Sequence, residues 1–516
     1  MPTSPLPPKQ HEDFDEEFDV VVVGFGYAGG VAAIDAHDNG AKVLLIEKMD
    51  APGGISICAG GGIRLSKDRD SALAYFESTN DGTTPRAMHQ AFVDEMMGIE
   101  DYVASLAEVN DGKLKRIDRP GNYPFPGHED MYFLEIDSIP GFDGIREYPH
   151  ARSHRNGPKL FKVLHDSIRE RGVDVRVGTS AVRLIAGGDN EVRGLWIEDG
   201  NGRKAVKAKR GVVLACGGFE ANYDMQRQYW QVYPVISAAF RGNTGDGIRM
   251  AVDVGADLWH MWHYHGSYGF RHPDPDYPFS IRVKRLPDWA PTVQEPSVEM
   301  AWILVDKSGR RFTNEYTPYL QDTGHRPLDV FDPVTQTFPN VPCFMIVDEN
   351  GRTAYPLGTT IFNDTEIEPY FWSEDNLKEV QNGILKKADT LDELADMIGC
   401  DADTLRVTVD RWNAACEDGK DTDHGRGRKT MMKIATPPFY MGEIWPVVSN
   451  TQGGPVHDEK YRVLNPFGEP IPRLYEAGEC GGIWGFLYVG GANLTECFVG
   501  GRIAGRNVAG LTPWDG

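Results

Sequence analysis

Cysteine is scarce in this chain and is nowhere arranged for chemistry. Seven occur in 516 residues (Cys58, Cys216, Cys343, Cys400, Cys416, Cys480 and Cys497), with no C-x-x-C or C-x-x-C-H spacing. No disulfide framework, zinc site, iron–sulfur cluster or haem attachment follows from such a pattern, and a reduced, cytoplasmic setting is expected. Positive charge is also short: Lys plus Arg number 53 against 76 Asp plus Glu, a formal net charge of −23. Nucleic acid and anionic membranes need positive patches, so neither is expected as a partner. No apolar run is long enough to span a bilayer. Residues 1–16, MPTSPLPPKQHEDFDE, lack the basic and apolar regions of a secretory signal and are expected to form a loose tail. Internal repeats and low-complexity stretches are missing too. The run Trp259-His-Met-Trp-His-Tyr-His-Gly266 is rich in histidine. No carboxylate or cysteine within the run completes a ligand set, so no metal is expected and packing is the reading.

What the chain has is a strand and a glycine turn at its start. Phe18 to Val23 form an apolar, β-branched run that predicts a buried parallel strand. Gly24, Gly26 and Gly29 then supply G-x-G-x-x-G as the chain enters a helix, and the next strand-like run, KVLLIEK, ends at Glu47. Glycine is required where backbone turns sharply and must approach a pyrophosphate, while the helix N-terminus offers amides and a positive dipole. An acid about 20 residues beyond the glycines suits ribose hydroxyls. A dinucleotide is therefore expected, and the fingerprint alone serves NAD and FAD equally. The length exceeds what one core supports and implies two domains, one inserted in the other.

Three further segments narrow the choice. Ala51-Pro-Gly-Gly-Ile-Ser-Ile-Cys-Ala-Gly-Gly-Gly-Ile63 is too glycine-rich for an ordinary connection and suits a second wall of backbone contacts. Gly211-Val-Val-Leu-Ala-Cys-Gly-Gly-Phe219 reads as another buried strand ending in glycines, and Leu474-Tyr-Glu-Ala-Gly-Glu-Cys-Gly-Gly482 as a short strand feeding an Ala-Gly-Glu turn. From about residue 17 onward this arrangement resembles the glutathione-reductase-type FAD domain, and specifically the fumarate reductase/succinate dehydrogenase flavoprotein superfamily. The resemblance implies an α/β chain. Its Rossmann-like FAD domain would be split between residues 17–268 and 445–516, around an inserted α+β substrate or capping domain at 269–444. Within that insert, Asp306-Lys-Ser-Gly309 predicts a hairpin turn and Leu391 to Asp423 a helical stretch.

FAD is the cofactor the resemblance implies. Beside the fingerprint residues Gly24, Gly26, Ala28, Gly29, Glu47 and Lys48, it places Gly54, Ser56, Gly61 and Gly62 of the glycine-rich segment on the cofactor. It adds Ala181, Ala215, Gly217, Gly218, Gly245 and Asp246 from the middle of the domain. The last group is Gly478, Glu479, Asn493 and Leu494, with Glu479 near the ribityl chain. The segment from Pro52 to Ser66 holds no histidine, so the covalent histidyl-flavin of succinate dehydrogenases is not expected.

Dicarboxylate enzymes of this superfamily hold their substrate with cations, and here three are replaced. The proton-transfer arginine beyond Gly-Arg-Phe-x-Asn-Glu falls on Tyr319, the carboxylate-binding histidine before Gly-Gly is Asn450, and Gly491-Ala-Asn-Leu494 lacks the second clamp arginine. A dicarboxylate substrate is therefore not expected. Arg-Phe-x-Asn-Glu-x-x-Pro-Tyr resembles instead the 3-ketosteroid dehydrogenase branch, in which that tyrosine is the catalytic base. By the same resemblance Tyr488 and the amide of Gly491, or of Ala492, hold the ketone oxygen. A third tyrosine assists the base; Tyr132 is chosen, with Tyr123 as the alternative. The implied reaction desaturates a cyclic ketone α,β to its carbonyl, with hydride passing to flavin N5 and a separate electron acceptor as partner. The substrate would be a 3-ketosteroid or a smaller oxocyclohexane such as 4-oxocyclohexanecarboxylate. The alternative is a fumarate- or urocanate-reductase-like enoate reductase.

Overall fold

The structure, a computed structural model, describes residues 6–153, 156–284, 299–317 and 324–515. Val20, Val21 and Val22 have no exposed surface, as β-branched residues without alternation require when both faces of a parallel strand are covered. The opening strand, Glu16–Val23, lies between Val43–Ile46 and Gly202–Leu214 and parallel to both; Asp174–Arg176 extends the sheet beyond Val43–Ile46. From the far end of the chain, Pro470–Glu476 joins Gly202–Leu214 in parallel, with Leu214 opposite Glu476. The two parts of this domain thus share one sheet.

The opening helix, Tyr27–Asp38, packs along the C-terminal helix, Ala492–Ala509. Small residues set the approach. A Cβ on Gly501 would stand 2.7 Å from the Ala28 carbonyl oxygen, and one on Gly505 2.5 Å from that of Ala32. Any larger residue would push the helices apart and open the turn between Val23 and Tyr27.

A second sheet runs Trp302–Val305, Cys343–Asp348, Phe439–Thr451, Tyr264–Phe270, Ile281–Val283 and Gly358–Thr359 in that order. Helices Leu391–Ile398 and Ala402–Asp418 cover part of it, and Leu394, Leu405, Val409 and Trp412 fill the space beneath. Both helices start on side-chain caps, Thr390 and Asp401, that accept the amides of Glu393 and Thr404. The helical stretch expected at Leu391 to Asp423 is these two helices, ending at Asp418.

Three expectations need correction. The boundaries at 268/269 and 444/445 fall inside strands: Tyr264–Phe270 and Phe439–Thr451 pair continuously from His265 opposite Asn450 to Phe270 opposite Ile444, apart from one bulge. Sequence texture marks a change of composition there, but inter-strand hydrogen bonds hold both sides in one sheet. The hairpin at Asp306–Gly309 is reduced to its turn. Asp306 Oδ1 accepts the amides of Ser308 and Arg310, yet only Val305 and Arg311 bridge across. Trp302–Val305 pairs instead with Cys343–Asp348. Finally, the tail is docked over its described residues: Arg183 donates to the Pro7 carbonyl at 2.9 Å, Trp196 Nε1 to that of Pro8 at 2.9 Å, and His11 lies 4.6 Å from the Trp196 ring. Extended proline backbone presents carbonyls with no competing N–H, which suits such donors. Among the described residues no helix is long and apolar enough to cross a membrane.

Candidate active site

The fingerprint turn is tight because its backbone crosses itself. A Cβ on Gly29 would overlap the Gly24 carbonyl, and one on Gly24 would meet the Ala215 carbonyl at 2.5 Å. Glu47, buried at the end of its strand, accepts the Phe25 amide at 3.0 Å and the Met49 amide at 2.9 Å. Burial pushes its pKa upward against those amides. Lys48 reaches across to Asp246 Oδ2 and Thr244 Oγ1, both at 2.7 Å. Burial disfavours the Asp246 carboxylate, but the Lys48 charge and the hydrogen bonds from Lys48, Thr244 and Arg249 together outweigh it and hold its pKa below the usual range.

A cleft of about 80 Å³ runs along this turn. Its wall contains Gly24, Gly26, Ala28, Glu47, Lys48, Gly54, Ser56, Ala181, Ala215, Gly217, Asp246 and Glu479. Expected cofactor residues Gly29, Gly61, Gly218, Gly245 and Gly478 line neither this cleft nor the larger cavity described next. They shape the wall from behind: Gly61, Gly245 and Gly478 have φ of +76°, +73° and +75°, and a Cβ on Gly218 would overlap Thr451 Oγ1.

The cleft opens into a cavity of about 380 Å³, with Ile55, Ser56, Glu479 and Cys497 on the walls of both. An extended dinucleotide with its pyrophosphate at the glycine turn would therefore reach the larger cavity. Two buried polar atoms on that cavity's wall, Asn493 Oδ1 and Ser449 Oγ, have no hydrogen-bond partner among the described residues, as residues that meet a cofactor should. Gly62 and Leu494 line the same cavity. Glu479 accepts the Thr451 amide at 2.8 Å and, like Glu220, takes a hydrogen bond from Asn243. Burial pushes both acids upward, and the neighbouring Glu220 carboxyl raises Glu479 further. The residues fit FAD.

Tyr488 and Gly491 stand together on the larger cavity's wall. The Gly491 amide donates to Tyr488 Oη at 3.1 Å, and the Tyr488 ring stacks on His265 at 3.7 Å. His265 Nδ1 lies 2.9 Å from Asn450 Oδ1. The turn carrying Tyr488 is clamped: Asn122 contacts the Tyr488 carbonyl and the Gly490 amide, and Arg64 Nε donates to the Gly490 carbonyl at 2.8 Å. Gly491 has φ +82°, and a side chain there would collide with Phe133. The remaining members of the histidine run grip the same region, with Trp259 Nε1 donating to the Gly481 carbonyl and His263 Nδ1 lying 2.7 Å from the Trp484 carbonyl.

Tyr319 lies outside the described residues; Tyr316 and Thr317, just before it, line the larger cavity. That segment is anchored by Glu315, which has no exposed surface. Glu315 receives Arg311 in two hydrogen bonds of 2.9 and 2.7 Å, the Leu304 amide at 3.0 Å and Arg426 at 3.3 Å. Burial raises its pKa, but Arg311, Arg426 and the Leu304 amide together outweigh burial and hold it below the usual carboxylate range. Arg311 also pairs with Asp421 at 3.1 Å. Arg426 carries no motif signal in the sequence; only burial reveals it.

Tyr132 must be moved out of the site. On the strand Met131–Ser138 the side chains alternate, so Phe133 and Glu135 line the cavity while the Tyr132 hydroxyl donates to Glu100 at 2.6 Å. Tyr123 is also buried off the wall, stacked on Phe125. Sequence reasoning also missed cations on the cavity wall: Arg64, Arg119, Arg282 and Lys284 line it, although Asn450 and Leu494 are neutral. They sit outside the family's motifs, and only the tertiary fold brings them to one cavity, Arg64 from a three-stranded sheet and Arg282 from the second sheet.

A family described as FAD binding domain matches residues 19–494. The chain belongs to this family. It is 28% identical to digoxin reductase of Eggerthella lenta, covering 98% of this chain and 89% of the relative. It is 29% identical to fumarate reductase (cytochrome) of Shewanella frigidimarina over 95% of this chain and 77% of that one. In fold it is similar to 3-ketosteroid delta1-dehydrogenase from Sterolibacterium denitrificans, with a TM-score of 0.78 at 24% identity over 96% of this chain and 99% of the other. The chain is an FAD-dependent oxidoreductase of the fumarate reductase/succinate dehydrogenase flavoprotein superfamily.

Proposed function

We propose that the protein desaturates a cyclic ketone α,β to its carbonyl, as 3-ketosteroid dehydrogenases do. The observation that carries this reading is Tyr488 Oη beside the Gly491 amide, 3.1 Å apart on the cavity wall. An amide donating into a phenol oxygen polarises its O–H. A ketone oxygen against that hydroxyl meets a fixed neutral donor whose interaction strengthens as negative charge develops on the oxygen. Tyr319, two residues beyond Thr317 in the sequence, is assigned as base for the α-hydrogen. Its ordinary pKa near 10 requires a partner to share the proton, and Tyr316, on the cavity wall, takes the role first given to Tyr132. The cleft residues would hold FAD without a covalent histidyl link, and the bound flavin would supply the hydride acceptor for the β-hydrogen.

A second reading, an enoate reductase, is favoured by one observation: the cations Arg64, Arg119, Arg282 and Lys284 on the cavity wall. Anaerobic titration separates the two. Cyclic 3-ketones or cyclohexanones should bleach the oxidised flavin while succinate does not, and acid precipitation should leave the FAD in solution. Reoxidation of reduced enzyme by fumarate or urocanate, with no response to any cyclic ketone, would place the protein with the reductases.

A further inference from the structure

Resting on the ketone reading, we propose that the substrate also carries a carboxylate, and that Arg282, Lys284 and Thr359 bind it. The strand Ile281–Val283 pairs antiparallel with Gly358–Thr359, and Arg282 stands directly opposite Thr359. Residues directly opposite share a sheet face, as do residues two apart on one strand. Arg282 and Thr359 therefore project from one face of this ribbon, Lys284 follows the strand, and all three line the larger cavity. A guanidinium, an ammonium and a hydroxyl together make a set of donors with the charge and reach for one carboxylate.

The charge balance of the cavity points the same way. Among the described residues four cationic side chains line it, against the carboxyls of Glu135 and Glu479. Burial and the neighbouring Glu220 push the Glu479 carboxyl well up, which favours its neutral form. Glu135 accepts a 2.7 Å hydrogen bond from Asn156. A positive interior in a chain of net charge −23 attracts an anion into that cavity rather than onto the surface. Arg64 binds the Gly490 and Arg119 carbonyls and lies 3.7 Å over the Phe133 ring, and Arg119 lies 5.9 Å over the same ring. Lys284, by contrast, has no ion pair among the described residues and opens on the cavity. The Tyr488–Gly491 pair is neutral, and so are the family's clamp positions Asn450 and Leu494. The cavity thus joins a neutral oxygen site to one anionic site, which fits a keto acid better than a dicarboxylate or an uncharged steroid.

The test uses the FAD-loaded enzyme and the variants Arg282→Gln, Lys284→Met and Thr359→Val, each checked for flavin content. Three probes suffice: 4-oxocyclohexanecarboxylate, its uncharged methyl ester, and cyclohexanecarboxylate, which has the anion without the ketone. Wild-type enzyme should bind cyclohexanecarboxylate, seen as a change in the flavin spectrum, and Arg282→Gln and Lys284→Met should each weaken this about 10–100-fold, the loss of one charge-assisted contact. The ratio of KM for the keto acid to KM for the ester should rise by a similar factor, with kcat for the acid moving less than its KM. Failure of the wild type to bind cyclohexanecarboxylate, or an unchanged acid-to-ester ratio in both charge variants, overturns the subsite. If ketones bleach the flavin but that ratio does not move, the desaturase reading stands without the subsite. If cyclohexanecarboxylate binding depends on both cations but no ketone bleaches the flavin, the subsite stands and the desaturase reading falls.

Discussion

Replacing Tyr488 by Phe removes one oxygen and little else. The ring is 9% exposed and stacks on His265 at 3.7 Å, and phenylalanine keeps that contact. What is lost in the resting protein is the acceptor for the Gly491 amide at 3.1 Å, a net cost to stability of about 0.5–1.5 kcal/mol. What is lost in the reaction is a donor aimed where charge develops, which elsewhere contributes about 2.7–4 kcal/mol, or 10²–10³ in rate. The Gly491 amide, released from Tyr488, can turn its hydrogen bond to the ketone oxygen and recover part of this. The expected loss is therefore at the lower end, about 10²-fold. Stopped-flow bleaching of the oxidised flavin by saturating ketone, without oxygen, measures it directly, and flavin content and a thermal melt serve as controls. Bleaching within about threefold of wild type would show that Tyr488 only packs against His265, and the oxyanion argument would fail. A large loss accompanied by loss of FAD would show that the hydroxyl holds the cavity together rather than the substrate.

Tyr319→Phe should leave FAD content unchanged and cut turnover about 10²–10⁴-fold, the share of a positioned acid–base group; near-normal turnover would return that residue to packing. Arg426 has no exposed surface and donates to the carbonyls of Met300, Trp302 and Thr430 as well as to Glu315. Arg426→Met should cost about 3–5 kcal/mol in denaturant unfolding, because it strands buried acceptors and halves the counter-charge of Glu315; a loss under about 1 kcal/mol would mean the network is dispensable. Stability should pass through a maximum as pH is varied. Burial holds His263 down to about 3 and His89 and His457 to about 4, from an ordinary 6.5. The unfolded chain takes up those protons first, so stability falls as pH drops from 6.5 toward 4. Burial pushes Glu496 up to about 8 from 4.5, so the stability it lends is full below 4.5 and is lost as pH rises through 8. Unfolding free energies that do not change between pH 4 and 6.5 would refute the buried-histidine argument.

The cofactor cleft was legible in the sequence because its residues serve backbone geometry. Gly24, Gly26 and Glu47 occur at spacings that a strand, a turn and a second strand impose, and any chain that forms them brings the same atoms together. Glycines such as Gly29 and Gly218 were legible as required but not as to purpose. Tight packing of backbone on backbone and close approach to a cofactor leave the same mark, and only the crossing of Gly29 over Gly24, or Thr451 over Gly218, tells them apart. Tyr132 failed for a reason of one residue: in a strand the neighbour faces the opposite way, so Phe133 reaches the cavity and Tyr132 reaches Glu100.

By itself the sequence determined what local rules and recurring motifs can carry: a buried parallel strand, a glycine turn and an acid at the end of the next strand. Tertiary structure alone decided what meets across distance. Arg282 and Thr359 become neighbours only when two strands 77 residues apart pair. His265 meets Tyr488 only when a strand of the second sheet packs on the turn before the C-terminal helix. Arg426 reaches Glu315 only when 111 residues of chain have folded back. Such contacts arise from long-range packing, in which the closing of a loop costs entropy that burial and hydrogen bonding must offset together, and no short stretch of residues records the outcome.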